Sequence, residues 1–179
     1  MSDTKLVQLD RNPGSPFVPT GNPMTDAVGP ASYANRADTP DVTVHGEAKI
    51  VPLRFAPGFT LASEDPDPRG LNVKACDGAI AGIIVDVWVD RSEPQVRYYE
   101  VSLPSGKPVL LPVPYVQWPM FGLIKTDHVL VKSITAAQFN DVPGTRSPMQ
   151  ISLREEDRIM AYYAGGHLYA EPKRSQPII

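Results

Sequence analysis

The chain has 179 residues, 42% hydrophobic and 21% charged, which suits one folded domain with a core and excludes disorder over the whole length. A net charge of −3 leaves no basic footprint for nucleic acid, and the single cysteine, Cys76, excludes a disulfide framework or a Cys-rich zinc site. Twenty prolines speak against a helical bundle, since each breaks a helix interior.

The opening Met1-Ser-Asp-Thr-Lys-Leu carries no apolar run of the secretory kind. The most apolar stretch, Val109 to Ile124, contains Pro112, Pro114 and Pro119 and could not hold a helical ladder in lipid. A chain that is soluble or peripheral to a membrane is expected.

Ten prolines fall between Pro13 and Pro68. Residues 11–40 are rich in Pro, Gly and Asn, which predicts an extended, turn-rich arm without its own core. Phe17, Val18, Met24, Val28 and Tyr33 give this arm something to bury on a neighbouring surface. If that surface belongs to a partner, residues 11–40 are expected to be mobile in the chain alone.

From Lys49 the pattern changes to short strands. Lys49 to Leu53 is one, and Leu71 to Lys74 leads through an Asp77-Gly78 turn into Ile80 to Asp90. In that run Val85, Val87 and Val89 are expected on one face, with Asp86, Trp88 and Asp90 on the other. Arg97 to Leu103, a Ser105-Gly106 turn, Val109 to Leu111 and His128 to Ser133 complete a small barrel or sandwich. Thr135-x-x-Gln138 caps a short helix ending near Asn140. A second capping box, Ser152-x-x-Glu155, opens a helix from Leu153 to Ala164, with Gly165-Gly166 as its stop.

Several blocks of residues resemble the cytoplasmic part of the H subunit of the purple-bacterial photosynthetic reaction centre. They are Pro19-Thr20-Gly21-Asn22-Pro23-Met24, Gly29-Pro30-Ala31-Ser32-Tyr33 and His45-Gly46-x-x-Lys49-Ile50-x-Pro52. Further along stand Asp86-x-Trp88-Val89-Asp90, Leu110-Leu111-Pro112, Leu153-x-Glu155-Glu156-Asp157 and Tyr163-Ala164-Gly165-Gly166-x-Leu168-Tyr169-Ala170. Each block alone is weak, but the ordered set covers nearly the whole chain and is highly specific. The middle part is similar to the PRC-barrel domain type.

The resemblance implies a mainly β fold: an extended Pro/Gly-rich arm over residues 1–40, a small PRC-type β-barrel over 41–134, and a helical C-terminal segment over 135–179 packed on the barrel. Family members carry an N-terminal membrane-spanning helix that has no counterpart here, so an excised domain or one half of a split subunit is expected. Pro114 to Gly122 looks like an insertion relative to the family.

The implied function is that of a subunit without pigments and without catalysis of its own. It would cap the two pigment-binding membrane subunits on the cytoplasmic face of the photosynthetic membrane, shield the quinone sites, and relay protons to the secondary quinone. Bacteriochlorophyll, bacteriopheophytin and quinones would belong to those partners, with none bound directly. Antenna polypeptides or a separate membrane anchor are further candidate partners.

A proton relay needs groups that exchange protons near ambient pH, such as histidine at about 6.5 or a carboxyl raised by burial. Matched position by position, the resemblance assigns His45, Asp41 and Glu47 to the entry region and Glu93 to the internal carboxylate. Asp90, Arg97, Glu100 and Glu156 match the surrounding charged cluster. Relatives can bind inhibitory zinc or cadmium at the entry. Thr43 and Glu47 depart from that pattern, which leaves a poor site for a metal wanting about four ligands.

Without the resemblance the same residues have plainer explanations. A lone His45 on a polar segment is usually solvated, and Asp90, Glu93 and Arg97 would be a surface cluster contributing about 0–1 kcal/mol per pair. Glu155-Glu156-Asp157 suits a helix start through the helix dipole. Two other functions compete: a free-standing PRC-barrel adaptor of the ribosome-maturation type, and a hydrolase using Cys76, around which no nucleophile motif exists.

Overall fold

The run of β-branched residues from Ile80 to Asp90 forms the longest strand of the protein, whose computed structural model describes residues 5–119 and 126–174. The strands in chain order are β1 (Leu6–Gln8), β2 (Phe17–Pro19), β3 (Ile50–Pro52), β4 (Asn72–Lys74), β5 (Ile80–Asp90), β6 (Gln95–Ser102), β7 (Pro108–Pro112), β8 (Val116–Gln117) and β9 (His128–Val131). One α-helix, α1, spans Leu153–Tyr169. The architecture is mainly β with one C-terminal helix, as the sequence predicts.

Strands β1 and β2 make a separate antiparallel ribbon. The others form one sheet in the order β7-β6-β5-β4-β9-β8, with β3 pairing to the end of β5. Strand β5 is long because one of its edges serves two partners in succession, β4 at its start and β3 at its end. Among the described residues β7 and β8 do not pair, so the ladder stays open and does not close into a barrel.

The two turn signals act as the sequence predicts. Gly78 (φ 82°) and Gly106 (φ 80°) supply the left-handed residue of the β4–β5 and β6–β7 connections. Thr135 and Gln138 cap each other reciprocally, and the turn they open is a 3-10 helix over Ala137–Asp141.

Two bulges depart from simple alternation. Val85 is the extra residue of β5 between Ile84 and Asp86, and Arg97 is the extra residue of β6 between its partners Val96 and Tyr98. The first bulge leaves Val85 48% exposed while Val87 and Val89 are buried, so the expected valine face loses its first member. Asp86, Trp88 and Asp90 on the opposite side are also buried.

Helix α1 does not stop at Gly165-Gly166 but runs through both glycines to Tyr169. A Cβ on Gly165 would lie 2.6 Å from the Cβ of Ala31, and one on Gly166 would collide with the Ser133 carbonyl oxygen and the Ile134 side chain. The glycines are close-approach surfaces and not terminators. The helix ends instead where the Arg174 guanidinium reaches the carbonyls of Gly166 and Ser133, each at 3.0 Å.

The arm lies on the chain's own helix. Met24, Val28 and Ala31 are buried, whereas Phe17 and Tyr33 stay exposed. The start of α1 is completed by the arm: the Leu153 N–H donates to the Thr39 carbonyl and the Arg154 N–H to the Ala37 carbonyl, each at 3.1 Å. Ser152 and Glu155 close the capping box on the remaining donors. Asp38 ties the segment down, accepting from the Ser152 hydroxyl at 2.8 Å and pairing with Arg146 at 2.6 Å and Arg154 at 3.5 Å. These contacts run against the expectation of a mobile arm in the isolated chain.

Within the stretch read as an insertion, Tyr115 stacks on Tyr163 at 5.5 Å, and Val116 and Gln117 pair with β9. Met120, Phe121 and Gly122 lie outside the described residues. Among the described residues, no helix is long and apolar enough to cross a membrane.

Gly165→Ala sets a gain of about 1 kcal/mol in helix propensity against an overpacking cost of about 1–3 kcal/mol at Ala31. A lower melting temperature and faster amide exchange around residues 24–31 are expected; a higher melting temperature would show that propensity wins. Asp38 is held below its usual carboxyl range, most of all by the Ser152 hydrogen bond, with Arg146 and Arg154 adding to it against burial. Its folded value is depressed, so the strap is at full strength above the unfolded carboxyl range and is lost as pH falls through the folded value. The amides of Leu153 and Arg154 should therefore be protected at neutral pH and exchange faster in acid, with Asp38→Asn showing the acid behaviour already at neutral pH.

Candidate functional site

The buried face of β5 that carries Asp86, Trp88 and Asp90 runs beside Glu100 and Tyr98 of β6, with Asp86 opposite Glu100 and Trp88 opposite Tyr98. Two carboxylates directly opposed across a ladder repel. One Arg54 nitrogen stands between them, 2.7 Å from Asp86 Oδ2 and 2.9 Å from Glu100 Oε2, and the Trp88 indole N–H donates to the same Glu100 oxygen at 2.8 Å. Burial disfavours the Arg54 charge, but the hydrogen bonds and charges of Glu100 and Asp86 outweigh it and hold the guanidinium above its usual range. Glu100 is thus locked in an ion-pair clamp.

At the far end of the same face lies a second group. Asp90 is 2% exposed; its Oδ1 accepts the backbone N–H groups of Ser92 at 2.9 Å and Glu93 at 3.1 Å. Its other oxygen is 3.6 Å from Lys49 Nζ, which is also 3.8 Å from Asp41. Glu93 itself is exposed on the turn and, among the described residues, accepts a 3.4 Å bond from Gln95 alone. In this chain Asp90 is thus buried, and Glu93, which the resemblance assigns as the internal carboxylate, is its exposed neighbour.

His45 and Glu47 sit on a small hairpin closed by the Thr43 N–H to Glu47 carbonyl bond at 2.8 Å, and both are exposed. Glu47 pairs with Arg91 at 3.2 Å, and the Arg91 guanidinium also holds the Ala48 carbonyl next to Lys49. This hairpin is thereby anchored beside the Lys49–Asp90 pair.

The third group is a groove of about 320 Å³ at the seam of β6 and α1, lined by Arg36, Arg97, Tyr98, Glu156 and Asp157 with Met160 among its apolar residues. The Tyr98 hydroxyl donates to Glu156 Oε2 at 3.2 Å. Burial raises the Glu156 carboxyl above its usual range; the Tyr98 bond and the charges of Arg97 and Arg36 oppose the rise, and Asp41 adds to it. Burial, and then the Glu156 charge, push the Tyr98 phenol far up, so it remains a donor.

Of the residues singled out from sequence, Asp41 and Asp90 share Lys49, and Asp41 and Arg97 act on the charge of Glu156, whereas His45, Glu47 and Glu93 are exposed. Glu100 is held apart in the Arg54 clamp. Arg54, Tyr98 and Arg36 were not identified from sequence. Arg54 stands in a plain Leu-Arg-Phe context, and only the strand register brings Tyr98 to the helix. Among the described residues no group of three or more His, Cys, Asp or Glu is placed to hold a metal ion.

Two family models match the chain. One, described as "Photosynthetic reaction centre, H-chain N-terminal region", matches residues 2–55, and the other, "PRC-barrel domain", matches residues 62–138. Asp41, His45 and Glu47 fall in the first; Asp90, Glu93, Arg97 and Glu100 fall in the second; Glu156 lies beyond both.

Asp41 and Glu47 are turned to Lys49 and Arg91, so among the described residues neither carboxylate stands free beside His45 for a metal. Calorimetric titration with zinc is expected to show weak binding only, and tight one-to-one binding lost in His45→Ala would contradict it.

Proposed function

We infer from a chain that is a PRC-barrel protein like the photosynthetic reaction-centre H subunit that it caps the pigment-bearing membrane subunits on their cytoplasmic side, shields the quinone sites and relays protons to the secondary quinone. The H-chain family is a non-catalytic reaction-centre subunit that associates with the membrane subunits. Pigments and quinones stay with those partners, and this chain supplies the acid–base groups.

The observation that carries the relay is Glu156: a half-buried carboxyl with a raised pKa, hydrogen-bonded to a phenol and set among Asp41, Arg97 and Arg36. Reduction of a quinone to the quinol consumes two protons, and a carboxyl shifted toward ambient pH passes them faster than one that stays ionised. Protons would enter by His45 and Asp41, reach Glu156 and Asp90, and leave through Glu93. Glu93 becomes internal only when a partner covers its turn. The exposed apolar side chains of the β1–β2 ribbon, Val7 and Phe17, together with the fully exposed Val44 at the entry hairpin, support such a partner.

An adaptor of the ribosome-maturation type needs neither the arm nor its match to the H-chain region, and it would purify without colour. The decisive preparation is the complex isolated from native membranes, with stoichiometric bacteriochlorophyll bands in the near infrared. In that complex Glu156→Gln and Glu93→Gln are each expected to slow proton-coupled transfer of the second electron by about tenfold. Unchanged rates in both variants would reject the relay, and a colourless, partner-free protein would reject the capping role.

A further inference from the structure

The groove at the seam of β6 and α1 does more than expose a carboxyl. Glu156 stands near the start of α1, its N–H satisfied by the Ser152 carbonyl. Among the described residues the Tyr98 hydroxyl makes the one hydrogen bond to its carboxyl. Tyr98 is 3% exposed, fixed in the ladder between Trp88 on β5 and Pro112 on β7. A rigid phenol therefore faces a carboxyl that would otherwise be free to rotate.

The charged groups facing this carboxyl come from three elements. Arg97 is on β6 with Tyr98; Arg36 comes from the arm and Asp41 from the segment just after it; Asp157 is on α1. Arg36 is already paired with Asp157 at 3.2 Å. The bulge at Arg97 falls where β6 passes the groove, which Arg97 and Tyr98 both line. A base, a cation and a fixed neutral donor thus converge on one carboxyl.

We propose that Tyr98 is a positioning residue: its hydroxyl holds the Glu156 carboxyl toward Arg97 and the groove, in the orientation from which that carboxyl takes up and releases protons. The proposal rests on the relay described above and adds to it the group that aims its central acid. Tyr98 gives up no proton of its own, because burial and the Glu156 charge keep the phenol protonated. It favours the ionised carboxylate, since a donor bonds the charged acceptor more strongly than the neutral acid.

The test is a carbon-13 carboxyl NMR titration of Glu156 in the intact chain, the signal being assigned by its disappearance in Glu156→Gln. Tyr98→Phe removes one oxygen and keeps the ring, and the Glu156 midpoint should move to higher pH. Replacement of Tyr98 by 3-fluorotyrosine, a stronger donor with the same packing, should move it to lower pH and keeps the test available if Tyr98→Phe fails to fold. A midpoint unmoved by both overturns the proposal, and a purely structural tyrosine would change the melting temperature without moving it. In the pigmented complex the pH profile of proton delivery should shift in parallel. A shifted midpoint with unchanged delivery would retain the positioning role and reject the relay; slowed delivery in Glu156→Gln with an unmoved midpoint would do the reverse.

Discussion

Helix α1 packs against its neighbours as closely as backbone permits, and the rest of the molecule is arranged around that approach. With no Cβ at Gly165, the helix meets Ala31 of the arm; with none at Gly166, it meets the Ser133 carbonyl just past β9. This seating brings Ser152 under Asp38 and Glu156 to Tyr98, and it places Gly166 within reach of Arg174. A helix displaced by the radius of one methyl group would lose the 3.2 Å bond to Tyr98 before it lost its own ladder.

Local chemistry was legible in the sequence wherever a residue acts on its immediate neighbours. The turns at Gly78 and Gly106, the capping box at Ser152 and the strand from Ile80 to Asp90 all follow from spacing a few residues long. Gly165-Gly166 was misread because a glycine pair signals a helix stop and a close contact equally well, and only the position of Ala31 decides between them. Bulges leave no mark in alternation until the partner register is known, so the exposure of Val85 was hidden.

The charged residues divide along the same line. The matched motifs pointed to Asp41, Asp90, Arg97 and Glu156, but they could not distinguish a clamped carboxylate from one without an ion-pair clamp. Glu100 and Glu156 carry the same functional group. The first is bracketed by Arg54 and the Trp88 indole; the second has a phenol, while burial and Asp41 outweigh the pull of its nearby arginines. Desolvation without full compensation is what raises the Glu156 carboxyl, while Arg54 and the Trp88 indole hold the Glu100 carboxylate in place. Likewise Asp90 and Glu93 are three residues apart, and only the turn that Asp90 holds decides which of them is buried.

The first turn of α1 also has a history in time. Its free N–H groups are satisfied by carbonyls of residues 37 and 39, more than a hundred positions earlier in the chain. Those residues are synthesised first and have no partner of this kind until the C-terminal segment emerges. Helix nucleation is costly and most helical stability in a protein comes from tertiary packing, so the first turn of α1 depends on the carbonyls the arm presents. Contacts of such long sequence separation are costly to close, so docking of α1 on residues 37–39 is expected to be a slow, long-range step in assembly.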